Sequence, residues 1–270
     1  MTRFLDELFD QPAWRKLPLQ PREQITEALE AMLGRVIQLA APDLFVEIGA
    51  FEASFSRRMR RAFPDATVIA YEANPRVFDR FGAEARAVGV DYRHAALSDR
   101  DGSITFNVME VISGRDMPAL NRMGSIKPIA MPDSRSIEVT VRAARLDSEL
   151  GETAGERACL WVDVEGAAGD VLRGAQRALA RTDILYCEVE SGEVWQEQAL
   201  APEVIGLAEA AGFVLVARDC QKAFQRNCLF LRPALAARAD IAAEVAGYTE
   251  AAVQKFRRAT EAFVAVGPAA

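Results

Sequence analysis

Leu44-Phe45-Val46-Glu47-Ile48-Gly49-Ala50 is the stretch that decides the fold. It is an apolar run of strand character that stops at a small-residue turn. Beyond the turn, Ala53 to Phe63 carries an apolar face with arginines opposite. Strand, tight turn and helix in that order form a ligand pocket at the edge of an open α/β sheet. Gly49 has no Cβ and so lets a ligand come close to the backbone. The helix after it is expected to aim its free N–H groups at the same point.

The unit repeats outward. Thr67 to Tyr71 is a second strand, ending in Glu72-Ala73-Asn74-Pro75, and Pro75 suits the first turn of a helix running to about Val88. A third strand, Val90 to His94, leads into Ala95-Ala96-Leu97-Ser98-Asp99. Further on, Ala158 to Asp163 ends in Asp163-Val164-Glu165-Gly166, and a helix follows with Val171, Leu172, Ala175 and Leu179 inward. Then come a strand from Asp183 to Glu190, a helix over about Pro202 to Ala211, and two closing strands, Phe213 to Ala217 and Asn227 to Leu231, read as the hairpin edge of a mixed sheet. The fold class expected is α/β: a Rossmann-like, mostly parallel seven-stranded sheet with helices on both faces. After Asp101-Gly102 the rhythm changes. Ser103 to Val108 and Ser136 to Val141 alternate like half-exposed strands, and Ile112 to Ser134 between them is rich in Gly, Met, Pro and Ser. A loop of that length in a compact domain reads as a mobile substrate loop.

Both ends read as helical extensions. Ile25, Ala28, Leu29, Met32, Leu33, Val36 and Ile37 recur at helical spacing before Pro42. Ile241, Val245, Tyr248, Ala252, Phe256 and Phe263 do so in the tail. This divides the chain into a helical cap over 1–42, a sheet domain over 43–233 and a terminal helix over 234–270. Covering the sheet is the plain use of these helices; pairing with a copy of themselves in a homodimer is the other.

The totals narrow the function. Half of the 270 residues are hydrophobic, which suits one large domain, and a net charge of −7 disfavours a nucleic-acid partner. Arg57-Arg58-Met59-Arg60-Arg61 reads as the wet face of a helix. Acids interrupt any apolar region at the N-terminus, so no signal peptide is expected, and no segment reaches the roughly 18 apolar residues of a membrane span. Cys159, Cys187, Cys220 and Cys228 are scattered, with no C-x-x-C pair for zinc, so they read as buried thiols in a reducing cytoplasm.

In an open parallel sheet, ligands sit beyond the carboxyl ends of the strands. The residues there are Glu47 and Gly49, Glu72 and Asn74, Ala96 to Asp99, Asp163 and Glu165, and Glu188 and Glu190. The set is acidic and has no lysine, which suits a cation better than a phosphate. Glu72 is placed to hold the two hydroxyls of a ribose. The turn Gly49-Ala50-Phe51-Glu52-Ala53-Ser54 lacks the G-x-G-x-x-G of a dinucleotide site, and Glu52 would repel a pyrophosphate. S-adenosylmethionine, a sulfonium without phosphate, fits such a turn. Two other readings compete: an NAD-dependent oxidoreductase acting on a sugar nucleotide, and a cofactor-binding module without catalysis. An oxygen-ligated magnesium at Asp163, Glu165 and Glu188 is conceivable, but no metal is assigned. His94, the only histidine, reads as structural.

Val46-Glu47-Ile48-Gly49-Ala50, Tyr71-Glu72-Ala73-Asn74-Pro75, Ala95-Ala96-Leu97-Ser98-Asp99 with Asp101-Gly102, Arg145-Leu146-Asp147, and Asp163-Val164-Glu165-Gly166 with Val171-Leu172-Arg173-Gly174 occur in this order. Together they resemble the FkbM family of S-adenosylmethionine-dependent methyltransferases, from about Leu44 to Phe230. The resemblance implies a class I methyltransferase fold and O-methylation of a sugar or natural-product hydroxyl. It implies Glu47, Gly49, Ala50 and Ser54 along the methionine part, Glu72 on the ribose, Ala73 and Asn74 beside the adenosine, and Ala96 and Leu97 at the adenine. Asp163 would lie near the amino group or the methyl, with Asp163 and Glu165 as the catalytic carboxylates. The family usually has Asp where Glu47 stands, glycine where Ala53 stands, and Lys near Trp161. The first two changes are expected to tighten the pocket, and the third to alter what sits beside the reaction centre.

Overall fold

The computed structural model describes residues 19–151, 157–220, 222 and 224–266. The expectations for residues 1–18 and for the side chain of Phe263 lie outside the described residues. In chain order the elements are α1 (Leu19–Ala40), β1 (Leu44–Ile48), α2 (Ser54–Ala62), β2 (Thr67–Glu72), α3 (Pro75–Ala87), β3 (Asp91–His94), β4 (Ala96–Leu97) and β5 (Gly102–Ile112). There follow β6 (Arg115–Asp116), β7 (Gly124–Ser125), β8 (Arg135–Ala144), α4 (Leu146–Leu150), β9 (Ala158–Val162), α5 (Ala168–Arg173) and α6 (Gln176–Ala180). The chain closes with β10 (Thr182–Glu190), α7 (Ala201–Ala210), β11 (Val214–Arg218), β12 (Gln225–Leu231), α8 (Pro233–Ala236) and α9 (Ala239–Val266).

The main sheet has seven strands in the order β11-β12-β10-β9-β1-β2-β3. The five from β10 to β3 are parallel, while β12 runs antiparallel to both β10 and β11. The sheet is therefore mixed and mostly parallel, with the hairpin edge the closing strands implied. β1, at the centre, is buried along its whole length, as a strand covered on both faces must be.

Each face has its own apolar layer. On one, Leu29, Met32 and Val36 of α1 and Ile241, Tyr248 and Phe256 of α9 share a core with Phe45, Tyr186 and Leu229 of the sheet. Both terminal helices thus belong to the sheet's own core. On the other, Val171, Leu172 and Leu179 meet Val46, Leu160 and Leu185. No described helix is long and apolar enough to cross a membrane.

Three sequence expectations are corrected. The single helix expected after Gly166 is two, because the chain breaks at Gly174-Ala175 to pass Ser98: a Cβ on Gly174 would lie 2.0 Å from the Ser98 carbonyl oxygen. The two alternating strands are longer than expected, and they lie outside the seven-stranded sheet. β5 and β8 pair antiparallel and, with β4 and β6, form a second sheet. The segment read as a mobile loop contains β6 and β7, both paired to β5. It is also tied to the far side of the site. Ala130 N donates to Val194 O at 2.8 Å, Gln196 N to Pro128 O at 2.8 Å, and Lys127 Nζ lies 3.0 Å from Asp170 Oδ2.

Gly49 has φ +82°, and a Cβ built on it would stand 1.8 Å from the backbone oxygen of Asp163. The glycine is required by the crossing of two strand ends before any ligand is considered. Gly49→Ala is expected to cost about 2–5 kcal/mol from left-handed strain plus overpacking. Urea denaturation measures this, and an unchanged midpoint would contradict the close approach.

Candidate functional site

A cavity of about 480 Å³ opens over the carboxyl ends of β1, β2, β9 and β10. Glu47, Gly49, Ala50, Ser54, Glu72, Ala73, Asn74, Ala96, Leu97, Asp163 and Glu165, the residues singled out from sequence, all line it. What each does there differs in several cases from the expectation.

Glu47, near the end of β1, is buried, and its Oε2 accepts a hydrogen bond from Ser56 N at 2.9 Å. Burial pushes its pKa up to about 7, against the pull of the Ser56 and Phe55 hydrogen bonds. The amino end of α2 therefore does not aim free donors at a ligand, as the sequence suggested. The chain's own carboxylate takes them, which satisfies a buried anion and an open helix end together.

The turn after β1 is bent sharply. Gly49 N and Ala50 N donate to Tyr71 O at 3.0 and 2.9 Å, and Phe51 and Ala53 have left-handed φ of 47° and 56°. The Ala53 conformation is one that glycine adopts without strain. Its side chain is fully buried in the core. Glu52, expected to repel anions, is shared: Ser54 Oγ donates to it at 2.8 Å and Arg122 lies 3.7 Å away.

Glu72 ends β2. Its Oε2 accepts from Phe51 N at 2.8 Å and its Oε1 from Asn74 N at 2.7 Å. Burial raises its pKa to about 7 despite those bonds. A carboxylate has roughly four lone-pair positions, so about two remain for the cavity. Asn74 Oδ1 caps α3 by accepting from Arg76 N at 3.1 Å. His94 Nε2 donates to Ala73 O at 3.0 Å, and its ring stacks on Phe78 with centroids 4.9 Å apart. The histidine holds a wall. Ala96 and Leu97 continue that wall with Phe106 as its apolar part.

The floor is acidic. Asp163 beyond β9, Glu165 on a left-handed residue of φ 46°, and Glu188 in β10 each bring a carboxylate oxygen within 4.8 Å of the others. Desolvation raises all three pKa values, Glu165 to about 8, with Asp163 adding charge repulsion and Lys222 pulling down. Glu190 behaves differently: it accepts from Gly166 N at 2.9 Å and is raised by burial to about 7.

Several lining residues were not foreseen. The pocket does contain cations, correcting the lysine-free set: Lys222 comes from the β11–β12 turn, Arg122 from the segment before β7, and Arg58 from the arginine face of α2. β11 runs parallel to β10 through the intervening β12, so its carboxyl end opens on the same rim. That topological signal was available for Lys222. Arg60, by contrast, is turned to the carbonyls of Phe63 and Ala66, both at 2.8 Å, and closes the end of α2. Trp161 packs at a tilt against Phe55 at 5.0 Å and Tyr186 at 4.2 Å, and forms an apolar wall. Ser125 Oγ of β7 donates to Glu165 O at 2.6 Å, fixing the acidic loop from above.

Comparison with known proteins follows the same outline. The model of the methyltransferase FkbM domain matches residues 40–215. Over 205 residues the chain is 27% identical to 2-O-methyltransferase NoeI of Sinorhizobium fredii (strain NBRC 101917 / NGR234), covering 72% of this chain and 82% of that one. It is 33% identical over 141 residues to Methyltransferase 1 of Beauveria bassiana (strain ARSEF 2860), covering 48% and 57%. Among solved structures, magnesium protoporphyrin IX methyltransferase from Synechocystis PCC 6803, with bound SAM, gives a TM-score of 0.40 at 11% identity, over 85% of this chain and 96% of that one.

The buried acids set a pH dependence. Glu47, Glu72 and Glu190 move from an ordinary 4.5 to about 7 in the fold. Between those values the folded chain binds more protons than the unfolded one, so this contribution is complete below the unfolded pKa and is lost as pH rises through 7. The melting temperature of the ligand-free protein should fall from about pH 5.5 to 7.5, and Glu72→Gln should flatten the slope by about one proton. A melting temperature that rises across that window, or a slope unaltered by the substitution, would contradict the burial of these charges.

Proposed function

The chain belongs to the FkbM methyltransferase family, and from that premise we propose that it transfers a methyl group from S-adenosylmethionine to a hydroxyl oxygen of a small acceptor, a sugar or natural-product group. The observation that carries the choice of donor is Glu72. It is a buried carboxylate at the end of β2 that lines the cavity while accepting from Phe51 N and Asn74 N, and its remaining acceptor capacity suits the vicinal hydroxyls of a ribose. The apolar wall at Ala96 and Leu97 suits an adenine, and the carboxylates around Gly49 and Ala50 suit a ligand with net positive charge. Bound there, the sulfonium would supply an already activated methyl carbon.

The chain's own part is positioning and proton removal. Asp163 and Glu165 line the cavity where an acceptor would stand, and desolvation makes each a stronger base than a carboxylate in water. Ser125 fixes the backbone of Glu165. Met123, Ile126 and Trp161 give the cavity apolar lining, and Glu30 of α1 and Lys222 add charge to it. The 2-O-methyltransferase name of one relative supports an oxygen acceptor. The buried thiols of Cys159 and Cys187 support a reducing, cytoplasmic setting. The acceptor is a small molecule rather than a nucleic acid, in keeping with a net charge of −7.

Calorimetry with S-adenosylhomocysteine tests the donor site. Removing an acceptor of two charge-assisted hydrogen bonds costs about 3 kcal/mol or more, so Glu72→Ala should weaken binding roughly 100-fold. Unchanged affinity would remove the ribose assignment. Glu165→Gln should keep that affinity while slowing methyl turnover, and equal turnover would take it off the catalytic list.

A further inference from the structure

Glu188 is buried on the cavity floor, and its Oε1 has no hydrogen-bond partner among the described residues. This sets it apart from its neighbours. Glu47, Glu72 and Glu190 each accept a backbone N–H. Glu188 faces Asp163 and Glu165 instead, with one oxygen from each within 4.8 Å of the others. Glu188 is buried and Asp163 and Glu165 are half-buried; three carboxylates that converge where water is scarce repel one another, and a compensating cation or protons on the acids relieve that repulsion. Lys222 and Arg122 are the nearby cations on this rim, and both are exposed rather than inserted between them. Hard divalent cations take oxygen ligands at about 2.0–2.6 Å, so oxygens up to roughly twice that distance apart can share one ion.

We propose that Asp163, Glu165 and Glu188 form a binding site for one oxygen-preferring divalent cation of the magnesium, manganese or calcium kind. Each of the three supplies a carboxylate oxygen, from the end of β9, the loop after it and the neighbouring β10. Such an ion keeps six or more oxygen ligands, so positions facing the cavity stay open to water or to acceptor oxygens. Its use in the reaction, gathering the acceptor hydroxyl and a neighbouring oxygen beside the reacting centre and favouring loss of the hydroxyl proton to a carboxylate, rests on the methyltransfer reading above. The binding itself does not. The competing arrangement is a proton shared between Asp163 and Glu188, which needs no metal.

The test uses the full chain, stripped with a chelator and then freed of it. Manganese(II) titration followed by electron paramagnetic resonance should show one tightly held ion per chain near neutral pH. Magnesium should displace it, and the melting temperature of the wild type should rise with either ion. Glu188→Gln should lower manganese affinity at least tenfold and abolish the thermal shift. Should that variant fold poorly, Glu165→Gln must show the same loss. No bound manganese in the wild type, or equal binding in wild type and variants, would overturn the site in favour of the shared proton. Because manganese is read without donor or acceptor present, its outcome is separate from that of S-adenosylhomocysteine binding.

Discussion

A carboxylate removed from water must be given donors or a cation, and this fold brings six of them to one edge of its sheet. Glu47, Glu72 and Glu190 are satisfied by backbone N–H groups of the loops that follow the strands. In being satisfied they also fix those loops: Glu47 seats α2, Glu72 clamps the turn after β1 to the turn after β2, and Glu190 holds Gly166. Asp163, Glu165 and Glu188 receive no such service and face the cavity together. The first group ties the rim together, and the second lines the cavity with unquenched charge.

That division depends on a stiff support. β1 and β9 pair in register from Leu44 with Ala158 to Ile48 with Val162, and the chain beyond each strand meets at Gly49 and the Asp163 carbonyl. α1 and α9 on one face and α5 to α7 on the other remove the sheet from water on both sides. The amino-terminal helix also reaches the site, since Glu30 of α1 lines it. The same helix therefore contributes both to the core and to the cavity lining.

The second sheet serves a different purpose. β5 and β8 form a long antiparallel arm whose inner apolar residues, Phe106, Val108 and Val141, cluster with Ala96. The arm carries β7 over the cavity, and Ser125 ties it to Glu165. What looked like an open loop by composition is an ordered cover, because it bonds both within itself, as Met123 N does to Asn121 Oδ1, and to distant segments, as Ser125 Oγ does to Glu165 O.

Much was legible in the chain itself. Strand-turn-helix units follow from local periodicity, and alternation along a strand determines which acids reach its carboxyl end, so the position of Glu47, Glu72, Asp163 and Glu165 on one rim was readable from residues adjacent in sequence. Only the tertiary structure decided which acids are quenched and which are left facing one another. It also decided that Lys222 and Arg122 join them, that two strands leave for a second sheet, and that Ser125 closes on Glu165 from 40 residues away. Those outcomes depend on donors and charges from distant segments meeting at one point, and no local pattern of side chains encodes where such segments cross.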